Sequence, residues 1–260
     1  MPPSPAGNGA RFGADMPERF VIDAYGPDDD AVRAGMRWLV TYATEHRLST
    51  AALIVPGVSN AENLERSLGK PGAQLYRDRQ TYVDGVNISL VTPRGGGLGR
   101  HARGPFLAVW ADDDMVAKIE QVTPPAICAI PWSDTDLSVW KAAWSPADPR
   151  AGTPAGAAPT IANPVVRVAM EGLTIRVNLS SALAHPSDKH AAGSTLKTLI
   201  QSGEQFEPAE IEAWAVANDW KLQDAKELAD MARKLRAGRR VQAGSADAAM
   251  LKRWRDAAGT

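Results

Sequence analysis

Four short apolar runs in the first 145 residues each end at a cluster of small polar or acidic residues that opens a helix-like stretch. Arg19–Tyr25 precedes Gly-Pro-Asp-Asp-Asp, and Ala51–Val55 precedes Pro-Gly-Val-Ser-Asn. Pro105–Trp110 precedes Ala-Asp-Asp-Asp, and Ala126–Pro131 precedes Trp-Ser-Asp-Thr-Asp. A run of five or six apolar residues without alternation suits a strand buried on both faces. Asp, Ser and Asn directly after it accept hydrogen bonds from the unpaired amides of a helix start. Repetition of that unit predicts an α/β fold with a mostly parallel, three-layer (Rossmann-like) sheet.

One pair of segments breaks the pattern. Gln80–Val83 and Val86–Val91 flank Asp84-Gly85, and a two-residue Asp-Gly loop between β-formers is a strong hairpin signal because both loop positions take positive φ. An antiparallel hairpin is therefore expected at one edge of the sheet.

These elements divide the 260-residue chain. Residues 1–16, rich in Pro, Gly and Ala, read as a disordered leader and not as a signal peptide, since they hold no apolar centre. Residues 17–145 form the expected α/β domain. Residues 146–163 hold Pro146, Pro149, Pro154 and Pro159 among Ala, Gly and Thr and read as a linker. The pattern from 164 to 240 is helical, with helices expected over about 164–182, 188–202, 208–218 and 222–237. Residues 241–260 read as a flexible tail. No apolar stretch approaches the ~20 residues needed to span a bilayer.

Composition excludes some functions. A net charge of −1 with 23% charged residues argues against a chain that binds polyanions through its overall field. The single cysteine, Cys128, rules out an internal disulfide and a cysteine zinc site. It lies in the run Ala-Ile-Cys-Ala-Ile, where a small buried side chain is the expected role. A cytoplasmic location is the expectation that follows.

Candidate sites follow from topology, because ligands of parallel α/β sheets bind outside the carboxyl ends of the strands. The Arg/Gly stretch after Val91 offers Arg94, Arg100 and Arg103 as guanidinium donors to an anion. Gly57 and Ser59, at the strand-to-helix junction after Val55, could add backbone amides. These residues make a non-catalytic protein the leading expectation. Its α/β domain would take an anionic ligand, a nucleotide among the candidates, without a cofactor. Its helical domain would meet a protein partner or a second copy.

The rival expectation is a metal-dependent phosphoester hydrolase. Asp28, Asp112, Asp113 and Asp134 would act on substrate, with Asp28, Asp112 and Asp134 holding Mg²⁺, a hard cation that prefers oxygen ligands. Capping explains the same acids more simply. A third expectation is DNA binding through the helix pair 208–218 and 222–237, with Arg233, Lys234, Arg236, Arg239 and Arg240 toward phosphates. Glu227 and Asp230 on the exposed face oppose it, so nucleic acid is the lesser expectation. His185 and His190 are five apart and do not share a helix face as metal ligands would.

Overall fold

The computed structural model describes residues 17–94, 97–151, 159–179, 182–241 and 243–260; the expected leader 1–16 lies outside them. The described residues divide into two compact units, one within residues 17–137 and 146–151 and the other within 138–145 and 159–260.

The first unit is the expected α/β sheet. Its strands are β1 (Glu18–Val21), β2 (Thr50–Ile54), β3 (Gln80–Val83), β4 (Val86–Val91), β5 (Phe106–Ala111) and β6 (Ala126–Pro131). They are ordered β1-β6-β5-β2-β4-β3. Every neighbouring pair is parallel except β3–β4, which closes through Asp84 (φ 49°) and Gly85 (φ 84°) in the positive-φ turn expected of Asp-Gly. The neighbouring inner strands β5 and β6 are buried along their whole length, as strands covered on both faces must be.

Helix α1 (Asp29–Glu45) lies over β6, β5 and β2, because it connects the edge strand β1 to β2 three positions away. It packs Val32, Met36, Leu39 and Ala43 onto Leu53, Leu107, Val109 and Ile130 in one core. Helices α2 (Asn63–Leu68) and α3 (Lys70–Asp78) add Leu64 and Leu75 to that same face. Sequence reasoning places a stop at Gly69-Lys70-Pro71-Gly72. Gly69 does break the chain at φ 63°, but a new helix starts at once, with Pro71 in its first turn, where a missing N–H costs nothing. By alternation, Ala52, Ile54, Phe106, Ala108 and Ile127 face the opposite way, toward α4 (Asp113–Glu120) and its buried Met115, Val116 and Ile119. Arg19 on that side of β1 grips Glu120 with two hydrogen bonds of 2.8 and 2.9 Å.

Residues 146–151, expected as the start of a linker, run beside β1. Ala147 accepts from the Val21 amide (2.8 Å) and donates to the Arg19 carbonyl (3.1 Å). This pairing occupies the backbone of an otherwise open edge strand. The expected domain boundary at 145 thus differs from the division seen, because pairing groups 146–151 with the sheet, while residues 152–158 of the expected linker lie outside the described residues.

The second unit is helical: α5 (Ser138–Trp144), α6 (Pro164–Arg176), α7 (Pro186–Gln201), α8 (Pro208–Ala217), α9 (Leu222–Arg236) and α10 (Ala248–Ala258). Helix α5, which the sequence pattern assigns to the α/β domain, packs on α8 in this unit. A single core joins Met170, Leu173, Leu196, Trp214, Trp220, Leu228, Met250 and Trp254. The last two correct the expectation of a flexible tail over 241–260. Asp247 caps α10 through the amides of Ala249 and Met250, and Met250 and Trp254, four apart, bury one face. Alanine-rich composition conceals this helix, although alanine is the best helix former. No helix among the described residues is long and apolar enough to cross a membrane.

Candidate functional site

All five parallel strands end on one edge of the sheet, so their outgoing loops share that edge. There the acids stand where helix capping needs them. Asp28 accepts from the Ala31 amide at 2.9 Å and Asp112 from the Met115 amide at 2.7 Å. Asp29 accepts from Ser67 Oγ (2.6 Å) and from Arg66, and the Ser67 hydroxyl is the main reason its carboxyl titrates below the ordinary range. Asp136 holds Ser133 through its amide and hydroxyl. Asp134 is exposed and Asp113 half-buried.

Among the described residues no group of three or more His, Cys, Asp or Glu is placed to hold a metal ion. The set Asp28, Asp112 and Asp134 therefore does not assemble. The acids follow three different strands, and the first two face their own helix starts.

The arginines divide as well. Arg94 lies three residues past Val91, whose partner Ile54 ends β2, so it belongs to the carboxyl edge. The chain then passes through a 3₁₀ turn, Leu98–His101, which carries Arg100, and arrives at Gly104 on the opposite edge. Gly104 fits so tightly there that a Cβ would lie 2.0 Å from the Thr50 carbonyl oxygen at the start of β2. With about 3.3 Å per residue, the length of β2 puts roughly 13 Å between the two ends of this crossover. Arg94, Arg100 and Arg103 are all exposed, and Arg94 and Arg103 serve opposite edges of the sheet.

Gly57 and Ser59 open a 3₁₀ turn, Val58–Glu62, and not an α-helix, so few amides align toward an anion there. At the neighbouring strand end Trp110 takes φ 57° where the β5–β6 register slips, and the slip sends it into the core with Val109. The carboxyl end of the central strand is thereby closed with an indole that is only 3% exposed.

A cavity lies elsewhere, along β1. Because α1 covers the middle of the sheet, the same face of β1 is roofed only by side chains reaching sideways from the helix. Trp38, Tyr42 and His46, spaced four apart, form that roof. The Phe20 ring meets Trp38 at 5.2 Å and Tyr42 at 6.3 Å, Trp38 meets Tyr42 at 5.6 Å, and His46 stacks on Tyr42 at 3.9 Å. Between this ladder and the Pro149–Arg150 segment runs an open groove of about 690 Å³, lined also by Glu18, Ala34, Arg37, Thr41 and Glu45.

The groove is polar at both ends. Tyr42 donates its hydroxyl to Glu18 Oε1 at 2.9 Å, and His46 Nε2 stands 4.0 Å from the same oxygen. Burial first, and then the Glu18 carboxylate, push the Tyr42 phenol above its ordinary range. At the other end Arg150 pairs with Asp148 at 2.9 Å and donates to the Asp23 carbonyl at 3.4 Å. Arg37 is exposed on the lip. Arg37 also borders a smaller cavity of about 330 Å³, beside Ser67 and Val83.

Sequence reasoning missed this groove, although the four-residue spacing of Trp38, Tyr42 and His46 is visible. That spacing marks a second stripe beside the Val32–Met36–Leu39 stripe, wider than one sheet contact requires.

Cys128 is fully buried in β6, and burial pushes its thiol far up, which leaves it a packing residue. In the helical unit two of the basic residues at the end of α9, Arg233 and Arg236, are engaged internally, while Lys234, Arg239 and Arg240 are exposed. Arg233 pairs with Asp230 (2.5 Å) and with the buried Glu212 (3.1 Å), and Arg236 lies over the Phe206 ring and 3.5 Å from Glu207. Lys189 pairs with Glu227. Trp214 and Trp220 are buried core residues, the second donating to Thr174 Oγ1 at 2.9 Å.

A family model described as a domain of unknown function (DUF1889) matches residues 162–255, a span within the helical unit. No curated protein and no solved structure matches the chain.

Proposed function

We propose that this chain is a non-catalytic binding protein whose α/β unit takes a small anionic ligand with a planar ring, nucleotide-like in its chemistry, in the groove along β1. The observation that carries the reading is the aromatic ladder Phe20–Trp38–Tyr42 facing a groove of ligand size with Arg37 at its lip. Small-molecule sites are concave, largely apolar, and hold a few placed polar groups, in volumes of roughly 300–1,000 Å³. The ring would lie against Trp38 and the anion would meet Arg37. The carboxyl edge is a poorer host for an anion, since Asp28, Asp29, Asp30 and Asp112, Asp113, Asp114 crowd its helix starts.

The helical unit would serve protein interaction. Its arginines on α9 are paired within the unit, and Ile175 is 85% exposed on α6.

Calorimetric titration with adenosine and guanosine monophosphates tests the groove, with adenosine and inorganic phosphate as the two halves of the ligand. Saturable binding should weaken at least about tenfold in Arg37→Glu and in Trp38→Ala, a loss in keeping with a contact of one charge or one stacked ring. No heat up to millimolar nucleotide, or equal heat with both variants, would end the reading.

A further inference from the structure

We propose that the carboxyl edge of the sheet is a docking surface for an arginine- or lysine-bearing peptide segment of a partner protein. Two aromatic rings mark it. Tyr25 is 49% exposed in the loop after β1, and Trp132 is 52% exposed in the loop after β6. Their loops are tied together, since the Gly26 amide donates to the Trp132 carbonyl at 2.8 Å. The Trp132 amide in turn donates to the Ala111 carbonyl at 3.2 Å, which brings Asp112 to the same place. Val58, 46% exposed, follows β2 on the same edge. Half-exposed Trp and Tyr side chains on neighbouring loops are what interface centres are made of, and they carry more binding energy than other residue types.

The surroundings choose the partner. Asp114 and Asp134 are exposed beside these loops, and Asp28 and Asp112 cap their helices at the same edge. The starts of α1 and α4 offset part of this charge. Of the nearby cations, Arg66 and Arg33 pair with Asp29 and Asp30, Arg150 pairs with Asp148, and Arg94 remains exposed. The edge is thus aromatic and acidic together. Guanidinium and ammonium groups answer both features, being drawn to the ring faces and to the carboxylates. An acidic or neutral segment would satisfy neither.

The test uses the full chain and a fluorescein-labelled nona-arginine peptide, with a Gly-Ser peptide of equal length as control, read by fluorescence anisotropy. Nona-arginine should bind and the control should not. Trp132→Ala leaves the net charge unchanged and should weaken binding about tenfold, the size of one aromatic anchor. Asp114→Asn with Asp134→Asn should weaken it further and flatten its dependence on salt. Because Trp132 is half exposed, its replacement should leave the thermal midpoint near that of the native chain. Absence of nona-arginine binding, or binding equally tight in Trp132→Ala and Tyr25→Ala, would overturn the proposal.

Discussion

The carboxyl edge and the β1 groove belong to one sheet, yet opposite kinds of residue build them. Short-range chemistry makes the edge: a strand ends, an aspartate caps the next helix, and the chain turns within four or five residues. Long-range order makes the groove, because β1 sits at the outside of the sheet while α1 crosses to β2, leaving Phe20 to be covered by Trp38 and Tyr42. Local features crowd the edge with acids that already have work to do. Distant ones leave the groove open.

The sharpest way to break this contrast is at Gly104. Its contact with the Thr50 carbonyl pins the far end of the crossover that carries Arg100 and Arg103, and so holds Arg103 away from the carboxyl edge. Gly104→Ala forces backbone apart from backbone and should destabilise the chain by about 3 kcal/mol, the upper range for overpacking. Urea denaturation of native and variant chains measures it. A loss below about 1 kcal/mol would mean the crossover can lift off β2 at little cost, so that Arg103 could reach the edge after all.

How much of this the sequence reveals follows the same division. The parallel strands, the hairpin at Asp84-Gly85 and the caps at Asp28 and Asp112 are legible, because each is set by neighbours a few residues away. Strand order is not legible, and with it goes the groove, since nothing near Phe20 says that β1 will lie outside β6. The carboxyl edge is legible as a place but not as a chemistry. Arg94 and Arg103 look alike in a glycine-rich run, and only the crossing to Thr50 separates them. Helix α10 escapes because its two anchors, Met250 and Trp254, are read only once the rest of their core exists.

A second test concerns the acids themselves. Asp28→Ala and Asp112→Ala should each cost about 1 kcal/mol through a lost cap, whereas Asp28→Asn and Asp112→Asn should cost only a few tenths, because Asn caps as well as Asp. A metal role predicts the reverse: Asn would abolish any stabilisation by Mg²⁺ while keeping the cap. Thermal unfolding of the four variants, with and without millimolar Mg²⁺, decides between them. Protection by Mg²⁺ that both Asn variants lose would turn the edge back into a metal site.

The smallest effect is the most diagnostic for the groove. Tyr42 donates to Glu18 at the floor of its polar end, and Glu18 is open enough for water to replace that donor, so Tyr42→Phe should cost only about 0.5–1 kcal/mol at neutral pH. Its signature lies in alkali. Burial keeps the folded phenol protonated beyond its ordinary value of 10.0, with the Glu18 carboxylate acting in the same direction. As pH rises past that value the unfolded chain releases this proton while the folded chain retains it. Stability is therefore drawn toward the unfolded state across the window above pH 10, and the contribution is fully present below it. Native protein should lose stability more steeply than Tyr42→Phe between about pH 10 and 11.5, so the gap between the two chains narrows there. Parallel curves would mean that water reaches the phenol freely and that Tyr42 does not close the floor of the groove.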